Sequence, residues 1–294
     1  MTSVDEDYGW WRWPAPAKLN LFLHIVGRRT DGYHLLQTVF QLLDWGDEVR
    51  LRVREDGALR RLDPLPGVDD EADLGIRAAR ALREATGCRL GADLAIEKRV
   101  PVGGGLGGGS SDAATVLVGL NALWGTGLGE DALADLGARL GADVPVFVRG
   151  RSAWGEGVGD ALTPLALPER WYVIVDPGVH VPTRELFQVP ELTRNSPRLT
   201  IPLFVSGAGT GNVFESAVRG RFPAVAAALD WLGRYGEARL SGSGGSVFAA
   251  VASREAGEAV LADRPAGLRG WVAKGVAESP LGARLAAWRR DRST

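Results

Sequence analysis

The residues with the clearest chemical purpose lie in one run, residues 101–112, which reads Pro-Val-Gly-Gly-Gly-Leu-Gly-Gly-Gly-Ser-Ser-Asp. Six of the seven residues from Gly103 to Gly109 are glycine, so backbone amides there approach a ligand with no side chain in the way. Upstream, Leu94, Ile96 and the stretch to Val100 read as a short strand. Downstream, Ala113, Leu117, Leu120 and Trp124 recur at helical spacing, with Ser110, Ser111 or Asp112 as the expected N-cap. A strand, a glycine loop and a helix N-terminus together make an anion site. Free amides point outward there, and the helix dipole favours negative charge. The chemistry this implies is the holding of a phosphate.

Three readings of the loop compete. A P-loop ends in Gly-Lys-Ser/Thr, whereas this one ends in Gly-Ser-Ser without a lysine, which excludes it. A dinucleotide fingerprint is formally present at Gly103, Gly105 and Gly108. It requires a second strand carrying an acid for the ribose, and here the helix runs through Gly-Thr-Gly-Leu-Gly into another helix. A flexible linker has no need of a strand before it and three cap-competent residues after it.

The elements that must position this loop form a mixed chain of 294 residues, long enough for two domains. A composition of 45% hydrophobic and 24% charged residues is that of an ordinary globular protein. A formal net charge of −2 gives no electrostatic case for nucleic acid, and no apolar stretch approaches the ~18 residues of a membrane helix. The single cysteine, Cys88, suits a reducing cytoplasm and offers no metal cluster. The first thirteen residues lack the apolar core of a signal peptide. Trp10, Trp11 and Trp13 there are expected to lay their indoles against the body of the protein.

Residues 15–26 alternate Leu19, Leu21, Leu23 and Ile25 against Lys18, Asn20, Phe22 and His24, a strand with one polar-rich side. After a turn at 27–32, the sequence predicts a strand over 33–43, a second turn at 44–47 and a strand over 48–54. A helix follows over 72–86, with Gly87 as its C-cap. Beyond the glycine loop and its helix comes a helix over 130–140, then Asp143 ahead of an expected apolar strand at 144–148. A pair of short strands lies within 151–165. The domain boundary falls near Leu167, dividing the chain into 1–167 and 168–294. The second part shows strands at 171–175, 239–240 and 247–251. Its helices fall near 183–187, 214–219, 224–235 and 254–262, with another at the arginine-rich end. This mixture predicts an α+β architecture.

The pattern Pro-x-x-x-Gly-Leu-Gly-x-x-Ser-Ser resembles the signature loop of the GHMP kinases. Six segments in order narrow the likeness to the 4-diphosphocytidyl-2-C-methyl-D-erythritol kinases: residues 16–23, 31–40, 141–147, 156–160, 181–183 and 241–248. The resemblance implies a two-domain GHMP kinase fold, with an N-terminal α/β domain carrying the phosphate loop and a C-terminal ferredoxin-like α/β sandwich. It implies that Pro101, Val102, Gly103, Gly104, Gly105, Leu106, Gly107, Gly108, Gly109, Ser110 and Ser111 wrap the phosphates of ATP.

By the same resemblance Asp143 is the catalytic base toward the 2-hydroxyl of the methylerythritol unit. An ordinary carboxylate, with a pKa near ~4, is a weak base and needs a partner that favours the productive arrangement. Lys18 is implied as that partner, and Asn20 as a substrate contact on the same strand face. Tyr33 is implied to stack on cytosine and His34 to bond its edge, with Phe40, Thr183 and Phe187 also at substrate positions. Magnesium is expected with the nucleotide, and no acidic cluster marks a dedicated metal cage. The implied partner is a small molecule with a cytidine diphosphate group, not nucleic acid or a membrane. Two departures stand out: Val213 where the family often has Asp, and Gly245 where a larger residue is common, which predicts a looser loop. The alternatives are a GHMP kinase for another small alcohol, or a nucleotide-binding homologue that has lost catalysis.

Overall fold

The computed structural model describes residues 4–5, 9–63, 71–207 and 210–292. The first half is built on a long hairpin. Strand β2 (Trp10–Arg28), preceded by the short β1 (Val4–Asp5), turns at Asp31 and Gly32 and returns as β3 (His34–Arg54). The Asp31 carboxylate accepts from the Tyr33 amide at 3.2 Å, an Asx turn that fixes the reversal. β4 (Leu59–Arg61) runs parallel to β5 (Gly91–Glu97), joined to it through helix α1 (Leu74–Thr86). Asp73 caps α1 by accepting from Ile76, and Gly87 closes it in the left-handed conformation. Helices α2 (Gly108–Leu123), α3 (Glu130–Leu140) and α4 (Val144–Arg149) follow, then the hairpin β6 (Ala153–Glu156) and β7 (Ala161–Pro164).

The second half contains β8 (Trp171–Asp176), α5 (Thr183–Leu186), α6 (Ile201–Val205), α7 (Glu215–Arg221), α8 (Pro223–Leu232), β9 (Arg239–Leu240), β10 (Val247–Val251), α9 (Arg254–Ala262), β11 (Arg269–Val276) and α10 (Pro280–Asp291). Strand β11 was not foreseen, because Gly270 and Gly275 interrupt its pattern. It pairs antiparallel with β8 along most of its length and with β3 at Gly275 and Val276, so the sheets of the two halves are continuous. A small core under that junction gathers Leu19, Leu43, Leu106, Tyr172, Ile174 and Phe248. The phosphate-loop leucine, Leu106, is thus anchored between the halves. Helix α10 returns to the first half, where Leu281 and Trp288 join the core that contains Trp13.

Three local expectations are corrected. The turn predicted at 44–47 does not form, and β3 runs straight through it. Gly46 packs so closely on Ala15 and Pro16 that an added Cβ would lie 2.1 Å from the Ala15 carbonyl, so pairing with β2 overrides the Asp-x-Gly-Asp signal. The apolar run 144–148 is helix α4 rather than a strand. A short apolar run reads either way, and Pro145 suits the first helical turn because its missing N–H is unpaired there in any case. Helix α2 begins at Gly108 with Gly107 as its cap, so Ser110, Ser111 and Asp112 lie inside the helix and do not cap it. The tryptophan segment opens β2. Trp13 is fully buried, Trp11 meets Trp288 edge-on at 6.3 Å, and the Arg52 guanidinium sits 4.8 Å over the Trp10 ring. No helix among the described residues is long and apolar enough to cross a membrane.

Candidate active site

Strand β2 does not alternate cleanly. Its register against β3 shifts between Pro16 and Lys18 and again between Asn20 and Leu23. These irregularities set Lys18 and Asn20 toward one cleft, while Phe22 is buried beside Trp154 and Leu23 joins the second-half core. The Lys18 ammonium is almost fully buried and has three oxygen partners. They are Asn20 Oδ1 at 2.5 Å, the Gly105 carbonyl at 2.9 Å and Asp143 Oδ2 at 3.3 Å. Asn20 is fixed in turn by donating to Thr38 Oγ1 at 2.8 Å, and Thr38 donates to the Phe22 carbonyl.

Asp143 occupies the N-cap position of α4 with helical backbone angles, and its side chain makes no capping bond. The carboxylate is therefore free to face Lys18, and its side chain keeps 33% exposure. A strand lysine and a helix-terminal aspartate, far apart in sequence, thus meet beside a loop carbonyl.

The loop itself is shaped by backbone. Gly105 and Gly107 have φ of 78° and 74°, the left-handed region. A Cβ on Gly107 would lie 2.8 Å from the Phe147 ring and 3.1 Å from Lys18 Cε. A Cβ on Gly105 would lie 2.0 Å from the Ser241 carbonyl. That last contact reveals a partner the sequence reading had not placed at the loop, the glycine cluster at 241–246. Ser246 donates its amide to the Gly104 carbonyl at 3.1 Å, and Ser241 Oγ donates to the Gly105 carbonyl at 3.0 Å. A Cβ on Gly244 would lie 2.1 Å from the Gly105 nitrogen. Two glycine segments from opposite halves interlock, backbone against backbone. Gly245 packs instead on the segment before α5, where a Cβ would lie 2.7 Å from the Val179 carbonyl, so a larger residue there would require that backbone to shift. Asn212 braces the same cluster by donating to the Gly242 carbonyl at 2.7 Å, while Val213 packs on the second-half core.

Beneath the loop, Lys98 bridges Asp47 at 2.5 Å and Asp112 at 2.7 Å. Asp47 also accepts from the amides of Arg99 and Val100, which fixes the chain as it enters the loop. Burial pushes the Asp112 carboxyl up to about 7, against the pull of Lys98 and with the help of the Asp47 charge.

A cleft of about 540 Å³ collects Lys18, Asn20, Phe40, Asp143, Thr183, Phe187 and every loop residue from Pro101 to Ser110. Ser111 does not line it; that side chain is fully buried and its hydroxyl has no partner among the described residues. Thr183 Oγ1 lies 2.7 Å from Ser243 Oγ, which also faces the cleft. Phe40 is buried with its ring 5.7 Å from the Lys18 ammonium. The cleft continues into a wider mouth of about 810 Å³ through the shared residues Leu36, Ala142, Val158 and Phe187. Tyr33 and His34 line this mouth together with Arg28, Arg184 and Arg194, basic residues that sequence reasoning missed. Tyr33 is 66% exposed. The His34 ring stacks on Phe187, with centroids 5.0 Å apart and planes 22° from parallel. Its pKa is lowered from the ordinary imidazole value by burial first, then by the charges of Arg194 and Arg28.

Comparison with known proteins agrees with this architecture. Residues 73–151 match the GHMP kinases N terminal domain and residues 190–268 the GHMP kinases C terminal domain. The chain is 61% identical over 282 residues to the 4-diphosphocytidyl-2-C-methyl-D-erythritol kinase of Xanthomonas axonopodis pv. citri, covering 96% of this chain and 95% of that protein. The chain belongs to the 4-diphosphocytidyl-2-C-methyl-D-erythritol kinase family of the GHMP kinases. The enzyme of the same name from Xylella fastidiosa is 58% identical over 279 residues, 95% of this chain and 94% of its own. A crystal structure of 4-(cytidine 5'-diphospho)-2C-methyl-D-erythritol kinase superposes with a TM-score of 0.75 at 36% identity, covering 90% of this chain and all of that one. The L. major mevalonate kinase, at 18% identity and a TM-score of 0.65 over 93% of this chain and 98% of that one, shares the fold. A GHMP kinase uses ATP.

Proposed function

We propose that the protein transfers the γ-phosphate of ATP to the 2-hydroxyl of 4-diphosphocytidyl-2-C-methyl-D-erythritol, giving the 2-phosphate and ADP. The observation that carries this reading is the Lys18 ammonium, which touches both the Asp143 carboxylate and the Gly105 carbonyl at the inner end of a cleft whose mouth holds the His34–Phe187 stack. The lining suits a donor phosphate at the glycine-loop end and a nucleobase at the aromatic end.

In this mechanism the hydroxyl oxygen attacks the γ-phosphorus as Asp143 takes its proton, and the bond to the β-phosphate oxygen breaks to release ADP. Lys18 holds the Asp143 carboxylate in place and stabilises negative charge on the reacting oxygens. The amides of residues 103–109 and the first turn of α2 carry the phosphates, a task that a P-loop shares with its lysine. Asn20 positions the acceptor sugar-alcohol. Phe187 and Tyr33 offer faces to cytosine. His34, kept neutral by burial and its arginine neighbours, offers one donor and one acceptor to the base edge.

Magnesium is proposed to enter with ATP. Among the described residues no group of three or more acidic, histidine or cysteine side chains is arranged to hold a metal, and Asp112 is committed to Lys98. The nucleotide phosphates would therefore supply most of its ligands, and the ion would offset their charge. A cytoplasmic location fits this chemistry, since both substrates are small polar metabolites.

The test is a coupled ADP-release assay with the cytidine diphosphate substrate, free methylerythritol phosphate, mevalonate and homoserine. Turnover of the first alone is expected. A preference for mevalonate or homoserine would assign the site to another small alcohol, and ATP binding without turnover of any would mark a nucleotide-binding protein that has lost catalysis.

A further inference from the structure

A second cavity, of about 340 Å³, opens where Leu21 of β2, the segment after β7 and the second-half sheet meet. It shares no lining residue with the cleft or its mouth. One side is apolar: Leu167, Phe204 and Phe248, with the Tyr172 ring set edge-on to Phe248 at 6.0 Å between centroids. The polar groups are unevenly committed. Arg239 is occupied, donating to the Leu21 carbonyl at 2.8 Å, to Thr210 at 2.8 Å and to Glu237 at 2.5 Å.

Tyr172 is 3% exposed, and its hydroxyl forms no hydrogen bond with the described residues. Burial raises that phenol to about 12, so it remains a neutral donor near neutral pH. Arg170 on the rim has an exposed guanidinium and no ion pair with the described residues, and its charge acts on Tyr172. The Tyr172 hydroxyl is not sealed within the packing, so it is open to the cavity as a donor. Gln41 Oε1, on the wall of the cavity, also has no partner among the described residues but is closed off within the packing. The groups open to the space, the Tyr172 hydroxyl and the Arg170 guanidinium, both call for an acceptor.

We propose that this cavity is a second binding site for a small amphipathic anion. Its carboxylate or phosphate head would accept from Arg170 and the Tyr172 hydroxyl, and an aliphatic or aromatic body of about ten heavy atoms would lie against Phe204, Phe248 and Leu167. The site is connected to the cleft through Arg239. The Leu21 carbonyl that Arg239 holds follows Asn20, the partner of Lys18. Thr210, which Arg239 also holds, leads through Gly211, whose carbonyl accepts from the Leu23 amide, to Asn212, which donates to Gly242 beside the phosphate loop.

The test titrates the full chain, with the cleft filled by ADP, with octanoate, octyl phosphate and 1-octanol, followed by calorimetry. One molecule of octanoate or octyl phosphate is expected to bind, and the stronger of the two identifies the head group. The alcohol is expected to bind at least tenfold more weakly. Arg170→Ala removes an exposed side chain and should weaken acid binding about tenfold, the loss of a charge-assisted hydrogen bond. Tyr172→Phe keeps the ring and should weaken it about fivefold. Equal binding of the alcohol, unchanged affinity in both variants, or no binding of either acid overturns the proposal.

Discussion

The two ends of the cleft are built on opposite principles. At the phosphate end the working surface is backbone. Residues 104–105 and 241–246 meet mainly backbone to backbone, with small serine side chains at the seam, and the lysine beside them is almost fully buried. At the mouth the working groups are side chains, with Tyr33 two-thirds exposed and arginines 28, 184 and 194 around a histidine stacked on Phe187. Backbone fixed in this way serves a ligand group that never changes, a polyphosphate. Side chains on a hairpin tip suit discrimination among bases, where a mismatch leaves polar groups unpaired. The first end should therefore fail abruptly when altered, and the second by degrees.

The largest effect is expected from Asp143→Asn, which keeps the shape of the inner end but removes the candidate base that faces Lys18. The rate constant kcat should fall about 100- to 10,000-fold while ATP still binds, as read by nucleotide titration alongside steady-state kinetics. Retained full turnover would remove Asp143 from the mechanism. Next in size is Gly244→Ala. The added methyl would stand 2.1 Å from the Gly105 nitrogen, so the interlocked segments must part, at a cost of about 1–3 kcal/mol. The KM for ATP should rise along with a fall in Tm. An unchanged KM would mean that the second glycine cluster does not shape the phosphate loop.

At the mouth, His34→Ala is expected to leave the KM for ATP unchanged. The KM for the cytidine substrate should rise about 5- to 150-fold, the range for a buried polar group left without its partner. The same histidine predicts a pH signature. Its pKa lies below the ordinary imidazole value, so it stays neutral through neutral pH. The KM for the cytidine substrate should worsen only as the pH falls below the ordinary 6.5. A KM that improves on acidification would show that the imidazolium is the binding form.

The same contrast explains what was legible in the sequence. The loop announced itself because its function requires glycine at consecutive positions, and the Asp31–Gly32 turn fixed the hairpin locally. Lys18 and Asp143 had no local signature as a pair. Each is an unremarkable strand or cap residue alone, and only the resemblance joined them before the 3.3 Å contact did. The role of residues 241–246 was hidden for a different reason. What makes Gly244 necessary is a backbone that arrives from more than a hundred residues away, and no local period records it. Tertiary pairing also erased the turn expected at 44–47, and a five-residue apolar run could not distinguish α4 from a strand. The basic residues at the mouth were missed because scattered arginines carry no spacing until the fold gathers them.

The smallest predicted effect tests whether the phosphate end is as rigid as its backbone suggests, and it concerns the ion group beneath it. Burial raises the Asp112 carboxyl from its ordinary 3.8 to about 7 in the folded protein, so between those values the folded protein binds a proton that the unfolded chain has released. Its contribution to stability is present at low pH, declines as pH rises through that window and levels off above it. Asp112→Asn cannot ionise and still leaves Lys98 paired with Asp47. The variant should therefore gain in Tm relative to the parent on going from pH 5 to pH 8, by a few degrees, in thermal melts at matched ionic strength. The KM for ATP in the parent should drift upward over the same interval, because a second negative charge then develops under the loop that holds the phosphates. If the Tm difference between variant and parent is flat with pH, Asp112 is ionised throughout, and the Asp47–Lys98–Asp112 group is a fixed brace rather than a titrating one.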